Sequence, residues 1–279
     1  AVFGSDAQRE RLLPEVISGE RIAAFALTEP EAGSDVASLR CRATREADGY
    51  RLDGDKTFIS NVPIADHYVL FANADPERGR KGISAFIVPR DAPGLRLEPQ
   101  PLSIDHPIGS LHLADCRVGA DALLGEVGQG FRIAMQTLET FRVSVGAAAC
   151  GMASAALADA RDHVLARQQF GKPLAEQQLV QGYLAEMATE LDAARLLVAR
   201  AAHENDTSDE RSPREVAMAK LYATEAAQRI IDKAVQLHGG RGVLLGSRVE
   251  ALYRDIRPLR IYEGTSEIQK LIIARSILS

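Results

Sequence analysis

The chain has 279 residues, of which 46% are hydrophobic and 25% charged, and its formal net charge at pH 7 is −5. This balance is typical of a soluble globular protein, and the length allows one large domain or two ordinary ones. A nucleic-acid partner would favour a basic face. The small acidic excess therefore predicts that the chain binds no nucleic acid.

Cysteine, histidine and apolar patterns exclude further classes of protein. The three cysteines form no C-x-x-C pair and the six histidines lack metal-ligand spacing, so we expect reduced thiols and no metal site. No apolar run approaches the roughly 20 residues that span a bilayer, and no signal peptide is visible. We therefore expect no membrane insertion, and a cytoplasmic location or, in a eukaryote, the mitochondrial matrix.

The first half of the chain is predicted to form strands after a short helical segment. Residues 1–21 are predicted to be the tail of a helical domain. Residues 22–125 carry short extended runs with no helices between them, a pattern that favours an antiparallel β-barrel or sandwich. The pair Asp53-Gly54, between two such runs, predicts a β-hairpin turn.

The second half, residues 126–279, has helical periodicity. Helices are predicted at residues 131–166, 174–203 and 213–238, and from Ser266 onwards. Ser212 with Glu215, and Ser266 with Gln269, have the spacing of capping boxes. Short connections between these helices predict a four-helix bundle. The predicted fold class is thus α+β multidomain, with a β-barrel or sandwich followed by the bundle.

Two polar loops could carry chemistry. Residues 27–35 (LTEPEAGSD) follow a predicted strand, and their hydroxyls and backbone N–H groups could hold a phosphate-bearing cofactor or simply form a local turn. In residues 260–267 (RIYEGTSE), Glu263 precedes Gly264 and a helix start. Desolvation in an apolar pocket would raise its pKa and suit a general base, whereas on the surface it would be an ordinary carboxylate.

Together these loops belong to a longer pattern that resembles the acyl-CoA dehydrogenase family over nearly the whole chain. The matching segments stand in the family's order: residues 26–35 (ALTEPEAGSD), 54–61 (GDKTFISN), 124–131 (LGEVGQGF), 167–174 (RQQFGKPL), 236–242 (QLHGGRG), 253–255 (YRD) and 261–269 (IYEGTSEIQ). Any one segment would be weak, but all of them in order are very specific.

The resemblance implies FAD as the cofactor. Leu27 and Thr28 would contact the isoalloxazine ring, Ser34 the phosphates or the CoA part of the substrate, and Ser60 would lie beside flavin N5. Phe58 stands where many members carry Trp. The residues that the resemblance places at FAD, some acting from a neighbouring subunit, are Phe25, Leu27, Thr28, Gly33, Ser34, Phe58, Ile59, Ser60, Arg167, Phe170, Gln178, Gln236, Leu237, Gly239, Gly240, Thr265 and Glu267.

The activity implied by the resemblance is α,β-dehydrogenation of an acyl thioester. Glu263 would be the base that removes the α-proton, with its backbone N–H on the thioester carbonyl, and the β-hydride would pass to flavin N5. Electrons would leave to an electron-transfer flavoprotein, and the assembly would be a homotetramer. Some relatives place the base where this chain has Phe141. The residues implied on the substrate side are Ser34, Glu139, Phe141, Arg142, Tyr262 and Gly264.

Two departures from the family pattern keep alternatives open. Members usually begin with a helical domain of about 100 residues, of which residues 1–21 would be the tail. Residues 103–109 replace the more usual Gly-x-Arg/Lys stretch near the expected CoA arm, so CoA and a carrier protein are both candidate thioester carriers. A flavin-dependent oxidase and a non-catalytic partner subunit of the same fold are the alternative functions.

Overall fold

The computed structural model describes residues 1–207 and 212–278. The chain divides into two compact units, residues 1–136 and 137–279. The predicted domains, 1–21, 22–125 and 126–279, were drawn from sequence patterns and family resemblance, not from compactness. Their limits stay predictions.

The first unit begins with the predicted helix. This helix, α1 (Asp6–Ser18), starts at Ser5, which forms a reciprocal capping box with Gln8, and it ends at Gly19 in the left-handed conformation. The Gln8 side chain also donates to the backbone carbonyls of Asp121 (2.7 Å) and Leu123 (2.9 Å). These bonds fasten α1 to the far end of the same unit.

Eight strands then form one sheet. They are β1 (Ala23–Ala26), β2 (Arg42–Arg45), β3 (Gly49–Ser60), β4 (His67–Asn73), β5 (Ile83–Pro89), β6 (Leu95–Pro99), β7 (Ile108–Gly119) and β8 (Leu123–Leu124). The order is β6-β7-β3-β2-β4-β5-β8, with β1 paired to β4. Side chains such as Leu52, Tyr68, Leu70 and Phe86 are fully buried in its core.

The sheet is mixed, so the predicted antiparallel barrel or sandwich is wrong in its strand directions. β1 and β2 both pair with β4 in parallel, whereas the other pairs of this sheet are antiparallel. Among the described residues the pairing follows an open path and closes no barrel.

The predicted hairpin at Asp53-Gly54 is also wrong. The chain runs straight through this pair in β3, and the register with β7 shifts between Leu52 and Gly54. Gly54 has φ +134°, and a Cβ there would lie 2.9 Å from Cα of Cys41. The glycine therefore marks a β-bulge with a close backbone approach and not a turn.

The second unit holds the long helices. They are α2 (Gly130–Ala166), which begins in the first unit, α3 (Gln178–Thr207), α4 (Pro213–His238), α5 (Arg248–Asp255) and α6 (Ser266–Leu278). A short ribbon, β9 (Gln168–Gln169) with β10 (Lys172–Pro173), separates α2 from α3. A 3₁₀ turn at Leu174–Glu176 delays the start of α3 by four residues from the predicted one. The helix predicted to end at residue 203 continues to Thr207, and residues 208–211 lie outside the described residues.

The helices bury small apolar side chains against one another. Ala149 and Ala156 of α2, Met187 of α3, and Ala223 and Ile230 of α4 belong to one core cluster. In the described part of the chain, α2 alone is long and apolar enough to cross a membrane by length and composition. A core helix passes the same test, and α2 places a stripe of buried residues in this cluster.

The two predicted capping boxes are not formed as expected. Ser212 precedes α4 but makes no side-chain cap bond. At α6 the cap is Thr265, whose Oγ1 accepts from the N–H of Ile268 (3.3 Å), while Ser266 donates its hydroxyl to Glu225 (2.6 Å). Sequence spacing found both helix starts, but neither serine side chain caps its helix.

Candidate active site

The loop before α6 holds Glu263 in an unusual backbone conformation. Glu263 has φ +55° and Gly264 φ +86°. Left-handed backbone is costly for a residue with a Cβ and persists only where its surroundings enforce it. A Cβ on Gly264 would lie 2.8 Å from Nε2 of Gln269. The backbone angle therefore favours glycine at residue 264, and a side chain there would also have to push the Gln269 amide aside.

Three side chains from three helices hold the two carbonyls of this loop. Arg142 of α2 donates through Nε to the Glu263 carbonyl at 2.9 Å. Lys220 of α4 donates through Nζ to the Gly264 carbonyl at 2.9 Å. Gln269 of α6 reaches both carbonyls through Nε2, at 3.3 and 2.9 Å. Since Arg142, Lys220 and Gln269 are all buried, these bonds are shielded from competing water.

The carboxylate of Glu263 has the electrostatics of a base. Its Oε2 is buried and has no hydrogen-bond partner in the described structure. Burial raises the pKa of Glu263 above its ordinary value, while the positive charges of Arg142 and Lys220 limit that rise. A desolvated carboxylate that stays ionisable is suited to accept a proton from a weak carbon acid.

The first turn of α6 is fixed by a second set of polar contacts. Arg260 pairs with Glu225 at 2.8 Å, and the same carboxylate accepts the Ser266 hydroxyl. Burial alone would raise the pKa of Glu225, but the bonds from Arg260 and Ser266 hold it below its ordinary value. Both ends of the Glu263 loop are thus anchored to α4.

The other residues predicted on the substrate side lie in the same unit, apart from Ser34. Glu139, Phe141 and Arg142 stand on one stretch of α2, and Tyr262 immediately precedes Glu263. Phe141 is 38% exposed and Tyr262 43% exposed. The structure brings Arg142 into a hydrogen bond with the Glu263 carbonyl, next to Gly264 in the chain.

The second-unit residues that the resemblance places at FAD are mostly on the surface. Phe170 lies at the tip of the β9–β10 ribbon with φ +55° and is 94% exposed. Arg167, Gln178, Gln236, Gly239 and Gly240 are also exposed, whereas Leu237 is buried in the helical core. Thr265 caps α6, and Glu267 lies in its first turn. An aromatic side chain this exposed is free to contact a ligand or another chain.

In the first unit, a buried ion pair ties together the two loops predicted at the flavin ring. Nζ of Lys56 lies 2.8 Å from Oε1 of Glu29, with 0% and 5% of these side chains exposed. The same Nζ donates to the Leu27 carbonyl at 3.1 Å, and the N–H of Thr57 donates to the Thr28 carbonyl at 3.0 Å. The end of β1 and the end of β3 are therefore held side by side.

The side chains at these strand ends have the chemistry that a flavin ring requires. Phe58 has φ +54° and is 62% exposed, which presents an aromatic face. Ser60 Oγ lies 2.9 Å from Nε2 of His106 and remains exposed. An exposed aromatic ring and an exposed hydroxyl at the end of one strand suit a planar, hydrogen-bonding ring. The donor set of this unit thus fits the cofactor implied by the resemblance.

Of the remaining first-unit residues predicted at FAD, some are exposed and others are buried. Gly33 and Ser34 are exposed, and Phe25 packs edge-on against Phe71 with ring centroids 5.0 Å apart. Leu27 and Ile59 are buried. The side chain of Ile59 serves the core of the sheet, which leaves only its backbone for a ligand.

Known families match this chain over most of its length. The model described as "Acyl-CoA dehydrogenase, middle domain" matches residues 24–116, and "Acyl-CoA dehydrogenase, C-terminal domain" matches residues 128–278. The chain belongs to the acyl-CoA dehydrogenase family. As a member of this family of flavoproteins, it is an oxidoreductase that acts on acyl-CoA.

Two curated relatives show the range of this acyl-CoA dehydrogenase family. Human mitochondrial short-chain specific acyl-CoA dehydrogenase is 43% identical, over 99% of this chain and 68% of the relative. A subunit of the caffeyl-CoA reductase–Etf complex of Acetobacterium woodii is 40% identical, over 99% and 73%. Relatives therefore include both dehydrogenases and reductases of CoA thioesters, and one belongs to a complex with Etf.

Two solved structures share the fold of this acyl-CoA dehydrogenase family member. Butyryl-CoA dehydrogenase from Megasphaera elsdenii superposes with a TM-score of 0.96 at 39% identity, covering 99% of this chain and 73% of that one. The structure of PigA with FAD and proline gives 0.95 at 32%, covering 99% and 72%. The mixed sheet followed by long helices is thus the architecture of the family.

The sequence did not reveal all of the site. Lys220, Gln269 and the Glu29–Lys56 pair were not predicted as site residues. A signal for Lys220 was present, because it lies at helical spacing from the apolar residues Val216 and Ala223 and so falls on the buried face of α4.

Proposed function

We propose that this chain dehydrogenates an acyl-CoA between Cα and Cβ, with Glu263 as the base. The observation that carries the proposal is the buried, unpartnered Oε2 of Glu263, on a loop held by three side chains. Proton abstraction from Cα needs a carboxylate that is ionised but poorly solvated, and this environment provides both conditions.

The other residues of the loop have supporting roles in this proposal. The backbone N–H of Glu263 would donate to the thioester carbonyl and stabilise the charge that develops there. Arg142 would orient the loop, and Glu139, Phe141, Tyr262 and Gly264 would line the acyl side. Because the carbonyls of Glu263 and Gly264 are already bonded to buried donors, the base is positioned before the substrate binds.

We propose FAD as the bound flavin, which supplies the two-electron acceptor for the β-hydride. Leu27, Thr28, Phe58 and Ser60 would contact its ring, and Ser34 its phosphates. The further residues proposed at FAD are Phe25, Gly33, Ile59, Arg167, Phe170, Gln178, Gln236, Leu237, Gly239, Gly240, Thr265 and Glu267. Support comes from the exposed aromatic Phe58 and the exposed hydroxyl of Ser60 at the end of the same strand, and from FAD in the matched PigA structure.

Assembly, electron acceptor and location complete the proposal. We propose a homotetramer, supported by strongly exposed apolar side chains such as Leu245 and Phe170. We also propose an electron-transfer flavoprotein as the electron acceptor, and the Acetobacterium woodii relative supports this choice of partner because it is a subunit of a complex with Etf. A four-helix bundle in the second unit, a sandwich-like arrangement of the open mixed sheet, a role in fatty acid metabolism and a cytoplasmic or mitochondrial-matrix location are proposed with them.

The proposed function is tested on the flavin spectrum of the purified protein. Anaerobic addition of saturated acyl-CoAs of different length and branching should bleach the flavin band for at least one of them. No bleaching with any saturated acyl-CoA would refute dehydrogenation. Rapid oxygen consumption with the same substrate, without another acceptor, would instead assign the oxidase alternative.

A further inference from the structure

Lys220 is a buried cation placed directly under the catalytic loop. Its side chain is 0% exposed and lies on α4 among apolar neighbours such as Val216 and Ala219. In the described part of the chain it forms no salt bridge with a carboxylate, and its ammonium donates instead to the Gly264 carbonyl at 2.9 Å. Burying an ammonium group costs free energy unless it makes compensating interactions.

We propose that Lys220 is a positioning residue for the base: its ammonium fixes the Gly264 carbonyl and, with Arg142, keeps the neighbouring Glu263 carboxylate ionised and ready to accept a proton. This inference rests on the proposed role of Glu263. It adds a residue of α4 that touches neither substrate nor cofactor but acts through the base.

The geometry supports a positioning role. Glu263 and Gly264 both have positive φ, so the peptide groups around them are turned out of ordinary helical or extended paths. Lys220 and Gln269 both donate to the Gly264 carbonyl at 2.9 Å, and Arg142 to that of Glu263. These donors come from α4, α6 and α2, and together they enforce a conformation that is unfavourable in isolation.

The charges around Lys220 support an electrostatic role. Arg142 faces it from α2, Glu225 from α4, Glu263 from the loop and Glu267 from α6. Burial, followed by repulsion from Arg142, lowers the pKa of Lys220 to about 8, and the carboxylates oppose this shift. Below that pH the ammonium is charged and favours the ionised form of Glu263, whose own pKa is raised by burial.

Replacing Lys220 by methionine should therefore shift the acid side of the pH profile of kcat/KM to higher pH. Lys220→Met keeps an unbranched side chain but removes the charge and the donor. Because a nearby opposite charge lowers a carboxyl pKa by one unit or more, the acid midpoint of kcat/KM should rise by about one pH unit. The pH profile of α-proton exchange of a substrate acyl-CoA in D₂O should move equally, since exchange reports the base without hydride transfer.

The matched control is Lys233→Met on the same helix. Lys233 pairs with Glu186 at the surface of the unit, and its replacement should leave both pH midpoints unchanged. Hydrogen–deuterium exchange adds a readout that needs no turnover. The peptide containing residues 262–269 should exchange faster in Lys220→Met than in the wild type, and at the wild-type rate in Lys233→Met.

The outcomes separate this inference from the proposed function. If the wild type exchanges no α-proton and shows no bleaching, the function fails. The inference about Lys220 is overturned if the wild type is active and Lys220→Met keeps both wild-type pH midpoints. Backbone hydrogen–deuterium exchange of residues 262–269 at the wild-type rate would complete that result. Should Lys220→Met fail to fold, Lys220→Gln takes its place: an upward midpoint shift supports the inference, and a wild-type midpoint contradicts it.

Discussion

Glu29 and Lys56 form a buried ion pair, with Oε1 and Nζ 2.8 Å apart. The Glu29 carboxylate also accepts the backbone N–H groups of Arg40 (2.5 Å) and Cys41 (3.0 Å), and Lys56 donates to the Leu27 carbonyl. The pair thus joins β1, β3 and the segment before β2. Both residues stand in the segments that resemble the family's flavin loops.

Removing one partner of this pair should unfold the first unit more easily. Glu29→Gln or Lys56→Met leaves an uncompensated buried charge, for which a loss of about 3–5 kcal/mol in the free energy of unfolding is expected. Urea denaturation measures this loss. The surface pair Arg96–Glu98, at 3.0 Å with both side chains more than half exposed, serves as control, because breaking an exposed pair should cost under about 1 kcal/mol. Equal losses in the two cases would contradict the structural role.

A methyl group on Gly264 should damage catalysis more than stability. Gly264→Ala must adopt left-handed backbone, at a cost of about 1–2 kcal/mol, and its Cβ would displace the Gln269 amide, 2.8 Å away. The control is Gly246→Ala, because Gly246 has φ +89° but nothing within 4 Å of an added Cβ. Thermal melts should show a similar loss of stability in both variants. Only Gly264→Ala should show a slower bleaching of the flavin band by substrate. Equal activity in the two variants would contradict the importance of this contact.

The raised pKa of Glu263 has a consequence for stability that can be measured without substrate. Between its ordinary pKa and its raised folded-state pKa, the folded protein binds more protons than the unfolded one, so unfolding becomes easier as pH rises through this window. Glu263→Gln removes this dependence. The melting temperature of Glu263→Gln relative to wild type should therefore increase from pH 4 towards neutral pH, as measured by calorimetry. A constant difference across that range would mean that the pKa is not raised.

Helices were predicted well because their signal is local. The starts and ends of α2 and α4 follow from periodicity and from breakers such as Pro213 and Gly239. The parallel pairing of β1 with β4 was missed, since Ala23 and its partner His67 are far apart in the chain and no local pattern encodes their contact. Gly54 was misread for a related reason, because a glycine in a bulge and a glycine in a turn look alike without the partner strand.

The candidate site shows the same contrast between local sequence signals and contacts that only folding creates. Glu263 and Gly264 could be predicted as candidates because their motif is contiguous and resembles that of a known family. Lys220 and Gln269 were missed because each acts only through a carbonyl that folding brings to it. A polar side chain on the buried face of a helix is visible in the sequence, but its partner is not.

The central claim is that the Glu263 carboxylate is the base, and the anaerobic flavin spectrum of Glu263→Gln with a substrate acyl-CoA tests it most directly. We predict that the variant retains its flavin but is not bleached, while Glu10→Gln, a change to an exposed carboxylate of α1, is bleached at the wild-type rate. Bleaching of Glu263→Gln at the wild-type rate would contradict the assignment.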